Sequence, residues 1–363
     1  MAKISFNDIG ISAIVTTTGG RRVTIDEEAE RFGYDERTLK RLKRSMGFES
    51  RYVVADPSVC TSDLCVASAE KIFEACELER SEIEALLLVT QTPDYRAPST
   101  AIIMQDRLGL STDTVAFDIN LGCSGFINGL YTAYCMIRSG LKKILLCVGD
   151  VASRFAYEGD RNLTPLMGDA GSAILIEAKE GIESHFVLHS DGSGYEHLII
   201  PDGGCRHPFT ARSLEAVPDS DGVPRRRVDM YMNGPEIFNF TIKVVPKMFR
   251  ELLESAHAQK EEVDYFVLHQ ANRYILQNIA KRLEVDASKL PMGTVSKYGN
   301  QNSASIPGTI NAFLHEPFSS ARQKVVFAGF GIGLSWGAVL TEVDRIYAPP
   351  IEHYQAGKGD EHE

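Results

Sequence analysis

The sequence predicts an α/β protein made of two similar halves. Short apolar runs of strand length alternate with helix-period segments along most of its 363 residues. Each half closes on a glycine-bearing turn before its last strands. These turns are Gly168-Asp169-Ala170-Gly171-Ser172-Ala173 in the first half and Gly329-Phe330-Gly331-Ile332-Gly333-Leu334-Ser335 in the second. A hydrophobic content of 44% is enough for a large core. Duplication of one α/β unit is the economical account, although large α/β enzymes in general show such alternation.

In the first half, residues 85–90 read as a strand, 99–108 as a helix and 114–119 as a strand. A helix over 126–137 follows, then strands at 143–148, 172–177 and 185–189. The β-α-β-α-β order implies a largely parallel, buried sheet with helices on both faces. In the second half, 235–255, 272–283 and 303–314 have helical spacing, and 263–268, 324–328 and 336–343 are apolar strands. The resulting division is residues 1–180, 181–346 and a polar tail from 347 to 363, with 348–363 expected to be loosely held. Residues 201–227, rich in Pro, Gly, Asp and Arg, read as an irregular surface insertion. Residues 26–51 are charged with a helical pattern, either a solvated face or the border of a site for anionic ligands.

A net charge of −11 argues against a nucleic-acid-binding surface. No apolar run approaches the roughly 18 residues of a membrane span, and residues 1–8 lack the basic-then-apolar order of a signal peptide. The seven cysteines (60, 65, 76, 123, 135, 147 and 205) are odd in number and contain no Cys-x-x-Cys pair. They read as reduced thiols of a cytoplasmic protein, neither a disulfide frame nor a metal site.

Cys123 falls at a strand-to-helix turn, flanked by Gly122 and Gly125, which are expected to leave room for a substrate. Free N–H groups and partial positive charge at a helix N-terminus favour a thiolate, so the position suits a nucleophile with a lowered pKa. The plain alternative is a small buried apolar residue. His269 ends the strand 263–268, and Asn300 lies in a polar turn before a helix. Ligands of open α/β sheets gather at the carboxyl ends of strands. If the halves pack about a pseudo-dyad, Cys123 and His269 converge on one pocket. A lone histidine at a strand end is usually just hydrogen-bonded; the pairing with Cys123 and Asn300 makes it a candidate.

Three segments resemble the active-site motifs of the β-ketoacyl-acyl-carrier-protein synthase III family of the thiolase superfamily. They are Asn120-Leu121-Gly122-Cys123-Ser124-Gly125-Phe126, His269-Gln270-Ala271-Asn272 and Gly299-Asn300-Gln301-Asn302-Ser303-Ala304-Ser305-Ile306-Pro307. Gly168-Asp169-Ala170-Gly171 and 330–337 match further signatures, and the resemblance runs from about residue 11 to 343. It implies a five-layered α-β-α-β-α fold, a homodimer and a Cys123–His269–Asn300 triad. An acyl thioester would load Cys123, with the N–H groups of Cys123 and Ile332 as oxyanion hole. A malonyl thioester on acyl carrier protein would then lose carbon dioxide and condense. Acyl-CoA and malonyl-acyl carrier protein are substrates here, and no cofactor is expected. An acyltransferase to an O or N nucleophile and a cysteine thioesterase are the alternatives.

The chain also departs from the family. Arg41 stands where many members have a tryptophan that stacks on the coenzyme A adenine; Arg161 matches a family arginine on the other side of that base. Pro235 replaces an asparagine. Ala97 stands where a bulky phenylalanine often caps the partner subunit's acyl pocket, so the primer is expected to exceed acetyl. Lys281 and Arg282 match basic family positions for carrier docking, which Lys243, Lys247 and Arg250 would extend.

Overall fold

The computed structural model describes residues 4–219 and 222–355. Nine strands form one connected sheet: β1 (Ile4–Thr18), β2 (Ala85–Val89), β3 (Val115–Ile119), β4 (Lys143–Asp150), β5 (Ala170–Ser190), β6 (Tyr265–Leu268), β7 (Arg322–Gly331), β8 (Ser335–Asp344) and β9 (Glu352–His353). The helices that frame the site are α1 (Thr61–Ala75), α2 (Thr100–Arg107), α3 (Gly125–Arg138), α4 (Gly234–Ser255) and α5 (Arg273–Leu283). The strand order is β6-β7-β8-β5-β4-β2-β3, with β1 beside β5 and β9 beside β1. β2 pairs in parallel with β3 and β4, and β6 with β7. β5 and β8 close the two sets antiparallel.

Side-chain alternation sorts these elements into five layers. In β2, Ala85, Leu87 and Val89 join the central core, which also holds Phe126 and Leu130 of α3 and Ile306, Ile310 and Phe318 of the helical stretch 305–320. Leu86 and Leu88 point the other way, onto α1 and α2. Across the molecule, Val325 and Phe327 of β7 face the centre. Val326 and Ala328 face α4 and α5 instead. Two helix pairs thus cover the outside, two strand layers follow, and α3 with 305–320 fills the middle. β5 carries the sheet from one layer to the other: its first half pairs with β4 and its last residues with β8.

Several expectations change. The strands expected at 172–177 and 185–189 are one 21-residue strand, β5. Partly buried Glu177 and Lys179 and exposed Ala178, Glu180 and Gly181, the last at φ 75°, interrupt its apolar pattern. Neither β1 nor α1 stands out in the alternation. In β1 the register shifts between Asn7 and Ile9 and again between Ile11 and Ala13, so no period of two survives. The helix expected at 303–314 is broken into 3-10, α and π turns. Residues 26–51 hold only short helices, Ala29–Phe32 and Glu36–Arg41, before a π turn. The tail is not loose over 348–354: Ala348 is buried, β9 pairs with β1, and the His353 ring stacks on Tyr52 at 4.3 Å. Residues 356–363 lie outside the described residues.

Candidate active site

Cys123 follows the end of β3 and stands just before Ser124, the N-cap residue of α3. His269 directly continues β6, its N–H donating to the carbonyl of Ala328 on β7 at 2.8 Å. The end of β7 also forms the floor under the cysteine. A Cβ on Gly331 would fall 2.7 Å from both Cβ and Sγ of Cys123, so only glycine fits there. The space beside Gly122 is taken up by the protein itself: a Cβ there would meet Gln91 Oε1 at 2.3 Å and Ile332 Cγ2 at 2.8 Å. The expectation that this glycine makes room for substrate is therefore corrected.

Asn300 is tied to the 166–168 loop, its N–H donating to Leu166 O at 2.7 Å and its O accepting from Gly168 N at 3.0 Å. Its side-chain Oδ1 accepts from the backbone N–H of Asn302 at 2.9 Å, which leaves the Nδ2 end as the free donor. Asn302, at φ 48°, reaches the nucleophile: the Cys123 thiol donates to its Oδ1 at 3.2 Å. The backbone of Asn302 also lies against the imidazole of His269. The Nδ1 of that ring sits 2.8 Å from the Ser305 hydroxyl. One turn, 300–305, thus connects all three predicted residues.

Cys123 keeps some exposure, to a small cavity, yet lies deep. Burial pushes its thiol up to about 11; the backbone of Ile332 and of Cys123 itself pulls the other way, and the charge of Asp150 adds to the rise. The expected lowering by the helix N-terminus is thus overridden, because desolvation penalises the thiolate more than a few N–H groups favour it. Burial also holds His269 down to about 4, so the imidazole is neutral at physiological pH. Asp150 is pushed up to about 6 by burial, against hydrogen bonds from Gln91 and Ser303. The backbone groups that favour the charged sulfur are those of Ile332 and Cys123.

The cavity at the sulfur measures about 50 Å³ and has Cys123 and Asn300 in its wall, with Phe155, Met167, Leu198, Met230, Met232 and Ile332. It adjoins two larger ones. A cavity of about 480 Å³ shares Met232 and is lined by Arg161, Pro235 and Leu42, with Asp219 and Arg225 of the insertion. Arg41 is exposed at the end of its helix, next to Leu42, and is not part of that wall. A cavity of about 590 Å³ shares Gln91, Phe155, Met230 and Ile332 and holds Ala97, Arg96 and Asp202. Lys243 on α4 and Lys281 and Arg282 on α5 are exposed; the two helices touch where Phe238 stacks on Tyr274 at 5.3 Å. Among the described residues no cluster of three or more His, Cys, Asp or Glu is placed to hold a metal, and no helix is long and apolar enough to cross a membrane.

Asn302, Ser305, Asp150 and the methionine wall are the site residues that sequence reasoning missed. Asn302 and Ser305 were in plain view inside the third motif. Asp150 ends a strand 27 residues beyond Cys123, and only its fold position reveals it.

Comparison with known proteins bears on the family and the fold. The family profile described as 3-oxoacyl-[acyl-carrier-protein (ACP)] synthase III matches residues 117–192. Its C-terminal counterpart matches 253–343. A Campylobacter jejuni protein provisionally named 3-oxoacyl-[acyl-carrier-protein] synthase 3 is 35% identical over 361 residues, covering 98% of this chain and 100% of that protein. The Clostridioides difficile β-ketoacyl-[acyl-carrier-protein] synthase III is 36% identical over 292 residues, 79% of this chain and 85% of that protein. The crystal structure of 3-oxoacyl-(acyl-carrier protein) synthase from Burkholderia xenovorans superposes with a TM-score of 0.90 at 33% identity, covering 97% of this chain and 99% of that one. The chain belongs to the 3-oxoacyl-[acyl-carrier-protein] synthase III family and is a condensing acyltransferase of thiolase fold.

Proposed function

We propose that Cys123 takes an acyl group from a thioester and that His269 and Asn300 then direct decarboxylative condensation with a malonyl thioester. The observation that carries this reading is the 300–305 turn, which sets Asn300 in the wall of the nucleophile's cavity and the backbone of Asn302 against a neutral His269. In the first step the Cys123 S–C bond forms, the carrier C–S bond breaks, and the thiol proton ends on the departing sulfur. The N–H groups of Cys123 and Ile332 hold the developing oxyanion; one such donor is worth roughly 3 kcal/mol. In the second step the malonyl C–carboxylate bond breaks, carbon dioxide leaves, and the enolate oxygen takes hydrogen bonds from His269 and Asn300. The enolate carbon attacks the acyl-cysteine, and Cys123 leaves and is reprotonated. No strong base is needed, because loss of carbon dioxide generates the carbanion. A neutral imidazole suits this, since an imidazolium would not survive the buried setting.

The pantetheine arm enters through the cavity lined by Arg161 and Pro235, a reading supported by its contact with the sulfur cavity at Met232. Arg41, exposed and next in sequence to Leu42 of that wall, meets the adenine end if coenzyme A is the donor. The sulfur cavity is small, so a primer longer than acetyl runs between Phe155 and Ile332 into the cavity that holds Ala97. Acyl carrier protein docks on Lys281, Arg282 and Lys243, the working unit is a homodimer, and the setting is the cytoplasm. All seven cysteines being free supports that last point.

Intact-mass measurement after incubation with a series of acyl thioesters tests the reading. A covalent acyl mass on the wild type, absent in Cys123→Ala and discharged with carbon dioxide release on adding malonyl-acyl carrier protein, is the expected result. Discharge to free acid without malonyl would make the chain a hydrolase; discharge to an alcohol or amine without carbon dioxide would make it a plain acyltransferase.

A further inference from the structure

Asp150 ends β4 with no exposure and, among the described residues, no cationic partner. Its Oδ1 accepts from the N–H of Gln91 at 2.7 Å and the hydroxyls of Thr90 and Thr92 at 3.2 and 3.4 Å. Its Oδ2 accepts from Ser303 Oγ at 2.9 Å and from Asn302 Nδ2 at 3.0 Å. An asparagine amide has one donor end and one acceptor end. With the donor end claimed by a carboxylate, the acceptor end must face the other way, and what it faces is the sulfur of Cys123. The backbone holds the amide in place, since the Asn302 N–H is bound to Asn300 Oδ1.

We infer that Asp150 and Asn302 are positioning residues that keep Cys123 at rest as a neutral, directed thiol. The inference rests on the proposed reading of Cys123 as the acyl acceptor. A carbonyl oxygen against sulfur stabilises S–H and opposes S⁻, and a carboxylate behind it acts in the same sense. The thiol hydrogen is thereby pinned toward Asn302. Among titratable groups, Cys123 and, from α1, Cys65 feel the charge of Asp150; the end of β2 and the 302–304 turn bring only hydroxyls and amides to it. The rise of the Cys123 thiol to about 11 accords with this arrangement, although burial is its largest cause.

The test is the pH dependence of Cys123 alkylation by iodoacetamide on the full chain, read by peptide mass. In that reaction an S–C bond forms, iodide leaves and the thiol proton passes to water. Asn302→Gly is the deciding variant, because glycine adopts φ 48° freely and the change removes the amide. Asp150→Asn is the second; it removes the charge and frees the amide to turn. The alkylation midpoint is expected to fall by about one pH unit or more in Asn302→Gly, with roughly tenfold faster alkylation at pH 7.5. A midpoint within about 0.3 unit of wild type in Asn302→Gly overturns the inference, whatever Asp150→Asn does. Failure of acyl thioesters to load Cys123 while the midpoint moves would instead count against the proposed function alone.

Discussion

Ser305 and His269 face each other across 2.8 Å inside the protein, hydroxyl to Nδ1, and both are about 1% exposed. With Ser305 donating, the imidazole proton sits on Nε2, the tautomer that offers a hydrogen bond to a thioester carbonyl. Removal of that hydroxyl frees the other tautomer. In Ser305→Ala, malonyl-dependent carbon dioxide release is expected to fall about tenfold, in line with loss of one buried hydrogen bond. The rate of Cys123 acylation, measured with stoichiometric thioester, should stay within about twofold, since His269 enters only at the second step in this scheme. Equal losses in both steps would show that His269 is engaged in acyl transfer as well.

The buried titratable groups give opposite pH signatures. Burial lowers His269 from 6.5 to about 4, so the unfolded chain takes up this proton first, and stability is lost as pH falls from 6.5 through 4. Asp150 is raised from 3.8 to about 6, so the folded protein holds its proton longer, and stability is lost as pH rises through that window. Each contribution is on the order of 3 kcal/mol, and the two largely offset. His269→Gln removes one side of the balance. Relative to wild type it should gain about 3 kcal/mol on going from pH 7.5 to pH 4, read as a shift in urea midpoint. An unchanged difference would mean that the imidazole is not buried neutral.

Ala97 lines the cavity of about 590 Å³ beyond Phe155 and Ile332. Ala97→Phe adds a ring to that space. Loading of six- to eight-carbon primers should drop roughly tenfold relative to acetyl, on the scale at which a pocket discriminates a few methylenes. Competition between paired thioesters with intact-mass readout measures it. No change in the ratio would mean that the chain runs elsewhere.

Lys281 and Arg282 lie exposed in the last turn of α5, with no carboxylate paired to either among the described residues. Charge reversal, Lys281→Glu with Arg282→Glu, should raise the apparent KM for malonyl-acyl carrier protein about tenfold and flatten its salt dependence, leaving acyl loading from coenzyme A intact. A carrier-dependent rate that survives the reversal would remove this face from consideration.

Much of the fold was readable in the chain because buried parallel strands are short unbroken apolar runs. β2, β4 and β6 carry that mark; β3 is interrupted by Asp118 and only partly buried. β1 escaped because two bulges scramble its alternation, and β5 split in two because its middle is charged and exposed where it passes between layers. The same logic applies to the site. Cys123, His269 and Asn300 announce themselves through local motifs, each at the end of a strand or in a turn before a helix.

What the linear order of residues determined by itself was composition, element type and the candidate reacting groups, since these depend on neighbours within a few positions. The state of those groups was decided only by tertiary structure. A helix N-terminus predicts a lowered thiol pKa, but burial and the charge of Asp150 raise it, because desolvation and fields in a packed interior arise from residues remote in the chain. In the same way Gly122, legible as open space for a ligand, proved to be the gap into which Gln91, Ile332 and Asn302 fit.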